Sequence, residues 1–236
     1  AILERSEYFS REPLSLRKFL LDQDKTGIIA EFKRRSPSKG WINASADPAV
    51  VTTAYAAHGA SGLSVLTDEN FFGGSLDDLI KARENNIPIL RKDFMIDEYQ
   101  VIEAKSVGTD VILLIAANLT PAQVKTLASI AGNIGLEVLL EIHNEEELGH
   151  ICDEVAIVGV NNRNLKTFEV NIDTSVYLSS LIPADKIKIS ESGISDVKTI
   201  NKLKQHDYKG FLIGENFMKA PDPAIAFAAF AKQLKS

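Results

Sequence analysis

The run Ile28-Ile29-Ala30-Glu31-Phe32-Lys33 places a carboxylate and an ammonium two residues apart behind a short apolar stretch. In an extended chain alternate side chains share a face, so Ile29, Glu31 and Lys33 point the same way. Burying such charges is costly unless they are paired or used. The pattern recurs: Lys92 shares a face with Leu90 in Leu90-Arg91-Lys92-Asp93-Phe94, and Glu141 with Leu139 in Leu139-Leu140-Glu141-Ile142. Further segments end in Asn161-Asn162-Arg163, Glu191-Ser192-Gly193 and Gly214-Glu215. A lysine and a glutamate such as Lys92 and Glu141 suit proton donation and abstraction. An ammonium near other cations is a better acid, and that is the expectation for Lys92. Ser192-Gly193 and Gly214-Glu215 offer backbone N–H groups near helix starts, where an anion is stabilised, with Lys33 and Arg163 to balance its charge. Phe71, Phe72, Phe94, Leu113 and Leu165 are the residues expected to line a flat pocket for a ring.

Other chemistries find no support. His58, His143, His150 and His206 lack ligand spacing, and neither H-E-x-x-H nor a cysteine cluster is present, so no metal is expected. No G-x-G-x-x-G or Walker lysine follows the first apolar run and no G-x-S-x-G elbow appears; no cofactor is expected. Hydrophobic content of 45% and charged content of 25% are those of a globular protein. A net charge of −6 argues against a nucleic-acid partner. The apolar runs are strand-sized, too short to span a membrane, and no signal peptide is visible. A lone cysteine, Cys152, fits a reducing, cytoplasmic setting. The chain is read as a monomer.

The elements that must position these residues repeat one theme of short apolar strand, polar loop, amphipathic helix and turn. Strands are expected over 28–32, 62–66, 87–90, 111–115, 136–142, 156–160, 186–190 and 210–213. Helices are expected over 47–58, 75–84, 97–107, 121–131, 145–151, 173–181, 196–204 and 222–234. Gly59, Gly108 and Gly135 stand where a helix must stop. Eight such units in 236 residues indicate an α/β protein, a (β/α)8 TIM barrel, which typically takes about 250 residues. Residues 1–236 are read as one barrel domain, with 1–27 a short N-terminal helical extension that caps one end of the core. Ser36 to Gly40 reads as a long flexible loop. In these barrels the active site forms at the C-terminal strand ends, which gathers every charged segment above on one rim.

The segments IIAEFKRRSPSKG (28–40), SVLTDENFFGGS (64–75), PILRKDF (88–94), VGVNNRNLKTF (158–168 region), SESGIS (190–195) and GFLIGENFM (210–218) together resemble the indole-3-glycerol phosphate synthase family. The resemblance implies cyclisation, decarboxylation and dehydration of 1-(2-carboxyphenylamino)-1-deoxyribulose 5-phosphate in tryptophan synthesis. It implies that Lys92 is the general acid at the ribulose carbonyl and that dehydration falls to Glu141 as base with Lys33 or Lys92 as acid. Glu31 resembles the acid that positions lysine and substrate, and Asn161 and Glu191 the residues that hold hydroxyls. Lys33, Arg163, Gly193, Gly214 and the backbone at Glu215 resemble the phosphate site, with Ser192 beside it. Ser36 matches a loop serine near the substrate carboxylate, and Phe72, Phe94, Leu113 and Leu165 an anthranilate pocket. Some members carry serine at the position of Glu215, and members usually have further helical sequence over the mouth. The rival, a phosphosugar isomerase barrel such as phosphoribosylanthranilate isomerase, would use Cys or Asp on strands one and six, where this chain has Glu-x-Lys on strand one.

Overall fold

The computed structural model describes residues 2–235. Eight parallel strands close into a barrel: β1 Ile28–Phe32, β2 Gly62–Leu66, β3 Ile89–Lys92, β4 Val111–Ile115, β5 Glu137–Ile142, β6 Ile157–Asn161, β7 Ile187–Glu191 and β8 Tyr208–Ile213. Each pairs with its sequence neighbours, and β8 returns to β1 with Ile28 opposite Phe211. Both faces of these strands are covered, which is why they read as nearly continuous apolar runs. Ile29, Leu90, Leu113, Leu139, Ile189 and Leu212 pack together inside the barrel. Their neighbours Ile28, Ala30, Phe32, Ile112, Leu140 and Val158 pack outward with the surrounding helices.

The strand and helix ranges follow the sequence pattern closely. Three strands run further than their apolar stretch: Lys92 pairs with Leu66, and Asn161 with Glu191. Strand pairing belongs to the backbone, so polar side chains at the rim do not end it. Asp47, Ser75, Asp97, Thr120 and Asp196 cap their helices by accepting from backbone N–H groups in the first turn. Gly59, Gly108 and Gly135 stand at φ of 90°, 89° and 82°, as a left-handed helix stop requires. Residues 145–151, expected as α-helix, wind instead as a 3-10 helix over Glu145–His150, a short piece containing Gly149.

The segment after Ser36 is not a flexible loop. Arg35–Ser36 and Gly40–Trp41 form a small antiparallel hairpin, with Gly40 at a left-handed φ of 67°. Ile42 N–H donates to Arg34 O at 2.8 Å, and the Arg35 guanidinium donates to Asn70 O at 3.1 Å. Ser and Pro mark a turn, but the long-range partners that tie it down are invisible locally.

The N-terminal extension closes the barrel at the end opposite the charged rim. Its helix Leu16–Leu21, capped by Ser15, buries Leu16 and Leu20 among the inward strand residues. Gly62 and Gly210, near the starts of β2 and β8, leave the room: a Cβ there would stand 2.8 Å from Leu16 and 2.9 Å from Leu20. Asp110, fully buried, accepts from Leu14 N–H at 2.7 Å and from the guanidinium groups of Arg11 and Arg83, fastening the extension. Among the described residues no helix is long and apolar enough to cross a membrane.

Candidate active site

The inward alternation that buries Ile29, Leu90, Leu139 and Ile189 carries on to the strand ends. There it delivers Glu31, Lys92, Glu141 and Glu191 into a cavity of about 620 Å³ at the C-terminal mouth. Lys92 Nζ lies 2.9 Å from Glu141 Oε2 and 2.7 Å from Glu191 Oε2. On the near side Lys33 Nζ is 2.6 Å from Glu31 Oε1. Two carboxylates, from β5 and β7, thus meet on one ammonium from β3, with the Lys33–Glu31 pair beside them.

Three carboxylates around one buried ammonium set the electrostatics. Burial alone would drive the Lys92 proton off, but Glu141, Glu191 and Glu31 outweigh it and hold the ammonium well above the usual lysine range. This corrects the expectation that cations would make Lys92 a stronger acid. Lys33 points its charge at Glu31, and Arg91, on β3 beside Lys92, faces outward to Asp93 at 3.0 Å and Glu103 at 2.9 Å. The two acids beside Lys92 are not equivalent. Against the cost of burial, Lys92 and then His143 hold the Glu141 carboxyl far below the carboxylate range. Glu191 is desolvated with one carboxylate oxygen lacking any partner, and is pushed up to about 7.

The opposite wall is cationic and rich in turns. Ser192 and Gly193 both adopt left-handed φ, 67° and 76°, and Asn162 fixes the turn by donating its amide to Glu191 O and Ser192 O. A Cβ at Gly193 would collide with Val170. Gly214 follows β8 at the start of the short helix Glu215–Met218 and stands against Glu31, whose Cβ would lie 2.8 Å from a Cβ at 214. Lys33 and Arg163 reach into this end; against partial burial, the hydrogen-bonded Lys39 ammonium, and after it Lys33 and Arg163, pull the Glu215 carboxyl below its ordinary range.

Sixteen of the seventeen residues singled out in the sequence for binding or chemistry line the one cavity; Phe71 is the exception. Beyond those named above, Ser36 comes from the hairpin, Phe72 from the helix after β2, Phe94 from the β3 loop, Leu113 from β4, and Asn161 and Leu165 from β6 and its loop. Phe72 and Phe94 lie 6.5 Å apart between ring centroids. Phe71 does not join them: its ring meets Phe94 edge-on from outside and is exposed. The sequence argument also missed Lys39 and Phe168, which line the cavity from loops, and Asn118, from the short 3-10 helix Ala116–Asn118 after β4; no strand periodicity marks a side chain's direction there. Lys39 Nζ meets Glu215 Oε1 at 2.5 Å across the mouth. Arg34, grouped with Lys33 in the sequence, turns away to Asp78 at 2.5 and 3.0 Å. Among the described residues no three His, Cys, Asp or Glu side chains are grouped to hold a metal ion.

The fold is widely shared. The chain superposes on a chain of the tryptophan synthase α2β2 complex of Pyrococcus furiosus with a TM-score of 0.66 at 14% identity, covering 90% of this chain and 98% of that one. A structure titled KGPDC from Streptococcus mutans matches with a TM-score of 0.66 at 14% identity, over 88% and 96%. Sequence relatives are more specific. Indole-3-glycerol phosphate synthase of Bacteroides thetaiotaomicron is 50% identical over 94% of this chain and 85% of its own length. The Bordetella pertussis enzyme of that name is 46% identical over 88% and 80%. A family model described as indole-3-glycerol phosphate synthase matches residues 3–230. With its rim of inward lysines and acids in place, the chain belongs to the indole-3-glycerol phosphate synthase family.

Proposed function

We propose that this cavity converts 1-(2-carboxyphenylamino)-1-deoxyribulose 5-phosphate to indole-3-glycerol phosphate, CO2 and water. Family membership supplies the reaction; the observation that supports the residue assignment is Lys92 Nζ held between Glu141 and Glu191 on the cavity floor, facing a cationic wall. The phosphate sits on the Ser192-Gly193 and Gly214-Glu215 backbone, with Lys33 and Arg163 balancing its charge. The anthranilate ring lies among Phe72, Phe94, Leu113 and Leu165, its carboxylate toward Ser36. Asn161 and Glu191 hold the ribulose hydroxyls, and Glu31 orients Lys33.

Ring closure forms a bond between the ring carbon that bears the carboxylate and the ribulose carbonyl carbon. The carbonyl oxygen takes a proton from Lys92 and becomes a hydroxyl. Loss of CO2 leaves its electron pair to restore the aromatic ring. The hydroxyl then departs as water on a proton from Lys33, or from Lys92 once solvent has reprotonated it, while Glu141 removes the proton whose electrons complete the indole double bond. Lys92 is stabilised as an ammonium in the free site, so its proton moves only toward the charge that develops on the carbonyl oxygen, which is differential stabilisation of the transition state.

The test follows indole fluorescence and CO2 release with the phosphorylated substrate and with its dephosphorylated analogue. Both products must appear with the first, and the second must lose affinity. Absence of indole product from the phosphorylated compound overturns the reading.

A further inference from the structure

Glu141 on β5 and Glu191 on β7 flank the same ammonium with β6 between them, yet their surroundings differ behind the carboxylates. Behind Glu191 lies Gly159, and one oxygen of the acid has no partner. Behind Glu141 lies His143, two residues further along, whose side chain is 9% exposed. Its Nε2 stands 3.2 Å from Glu141 Oε1, an ion-pair contact out of line for a hydrogen bond. Its Nδ1 lies 3.2 Å from Glu147 Oε2, and the same oxygen accepts from His143 N–H at 2.7 Å. His143 is absent from the cavity wall, so it touches Glu141 and not the substrate.

We propose that His143 is a positioning residue, an imidazolium brace between Glu147 and Glu141 that selects Glu141 over Glu191 as the base of the reaction. The inference rests on the assignment of Glu141 made above. Both ring nitrogens stand 3.2 Å from a carboxylate oxygen, so a lone pair on either would face negative charge and the doubly protonated ring is favoured. The titratable groups bearing on it are Glu141 near the end of β5 and Glu147 on the following 3-10 helix, with Lys92 beyond the first and His150 beyond the second. Despite burial, the two acids push the imidazole up to about 9, so the brace is charged at neutral pH. Two acids beside one lysine whose environments push them apart have separate roles, and the cation behind Glu141 is what separates them.

The direct readout is the imidazole ¹⁵N resonances of His143 in the unliganded protein across pH, independent of turnover. Both nitrogens should be protonated at pH 7.5, with titration near 9; titration at or below about 6.5, the ordinary value, overturns the proposal. Kinetically, His143→Ala should lower kcat about tenfold, within the range of a mispositioned base, while KM changes less than about twofold. His143→Gln, which keeps a donor without the charge, should restore part of kcat. Equal kcat in parent and His143→Ala sinks the proposal. Glu141→Gln separates the two levels: if it is fully active the base assignment falls, and if only it is impaired the brace alone falls.

Discussion

Gly159 on β6 gives up its side chain to the Glu191 carboxylate on β7: a Cβ at 159 would overlap Glu191 Oε1 and crowd Leu139 and Ile189 at 3.2 and 3.3 Å. Gly214 stands in the same relation to Glu31. An eight-stranded barrel is normally filled by layers of branched side chains. Here two interior glycines thin the top layer, and carboxylates occupy the space.

Gly159→Ala therefore strikes Glu191 before it strikes the fold. The neighbours Leu139 and Ile189 are buried and must shift, which costs about 1–3 kcal/mol as overpacking does. The carboxylate loses its place beside Lys92, and kcat should fall about tenfold or more, since small misplacements at a reacting centre are expensive. Thermal melts and steady-state kinetics on the same preparation check it; normal kcat with a lowered Tm would leave Glu191 without a role in turnover.

Lys92→Ala removes the proton donor at the carbonyl and leaves Glu141 and Glu191 buried without their cation. We expect kcat to fall about 10²-fold or more, the usual loss for a general acid. If kcat holds and only KM rises, the lysine is a binding group. Because two carboxylates then lie close together uncompensated, the variant should also lose stability at neutral pH and recover part of it in acid.

Glu141→Gln keeps the shape and one acceptor oxygen for the Lys92 ammonium but removes the base. Ring closure and CO2 loss should persist better than dehydration, so a decarboxylated, still hydroxylated intermediate should build up. Rapid quench with mass analysis reads this directly, and normal turnover without it removes Glu141 from the base role.

The rim was legible in the sequence because strand alternation is strict. Once Leu90 and Leu139 are placed inside, Lys92 and Glu141 follow with no further assumption. The barrel was legible for a similar reason, as eight apolar runs with capped helices between them leave few alternatives. Sign and strength were not legible. That Lys92 is a strengthened ammonium depends on Glu191, ninety-nine residues away. Lys33 and Arg34 are adjacent in the chain, yet they diverge to Glu31 and Asp78 because the strand has ended and alternation no longer governs. His143 looked unremarkable, since its ring lies between Glu141 on β5 and Glu147, which approaches only when β5 gives way to the 3-10 helix.

Glu215 places a carboxylate among Lys39, Lys33 and Arg163, the cations a bound phosphate needs. Glu215→Ser removes that competition and offers a hydroxyl donor in its place. Competitive inhibition by inorganic phosphate should strengthen about three- to tenfold, the scale of one partly exposed charge interaction. The effect should shrink in high salt. An unchanged or weaker inhibition constant would show that Glu215 does not oppose phosphate.

The His143 brace also predicts how stability varies with pH. Its imidazole is raised from 6.5 to about 9 in the folded protein, so the fold binds the proton more tightly than the unfolded chain does. The stabilisation is complete below pH 6.5, declines as pH rises, and is gone above about 9; its ceiling is about 3 kcal/mol. Glu191 acts in the same direction at lower pH: its carboxyl prefers the proton when folded, so stability falls between 4.5 and about 7. That contribution is nearly exhausted at pH 7 and is present whether or not residue 143 is histidine. The difference between parent and His143→Gln in urea midpoints from pH 7 to 9.5 thus isolates the imidazole. The parent should lose its advantage across this window; parallel curves would mean that the ring is neutral throughout and bears no charge for Glu141 to lean on.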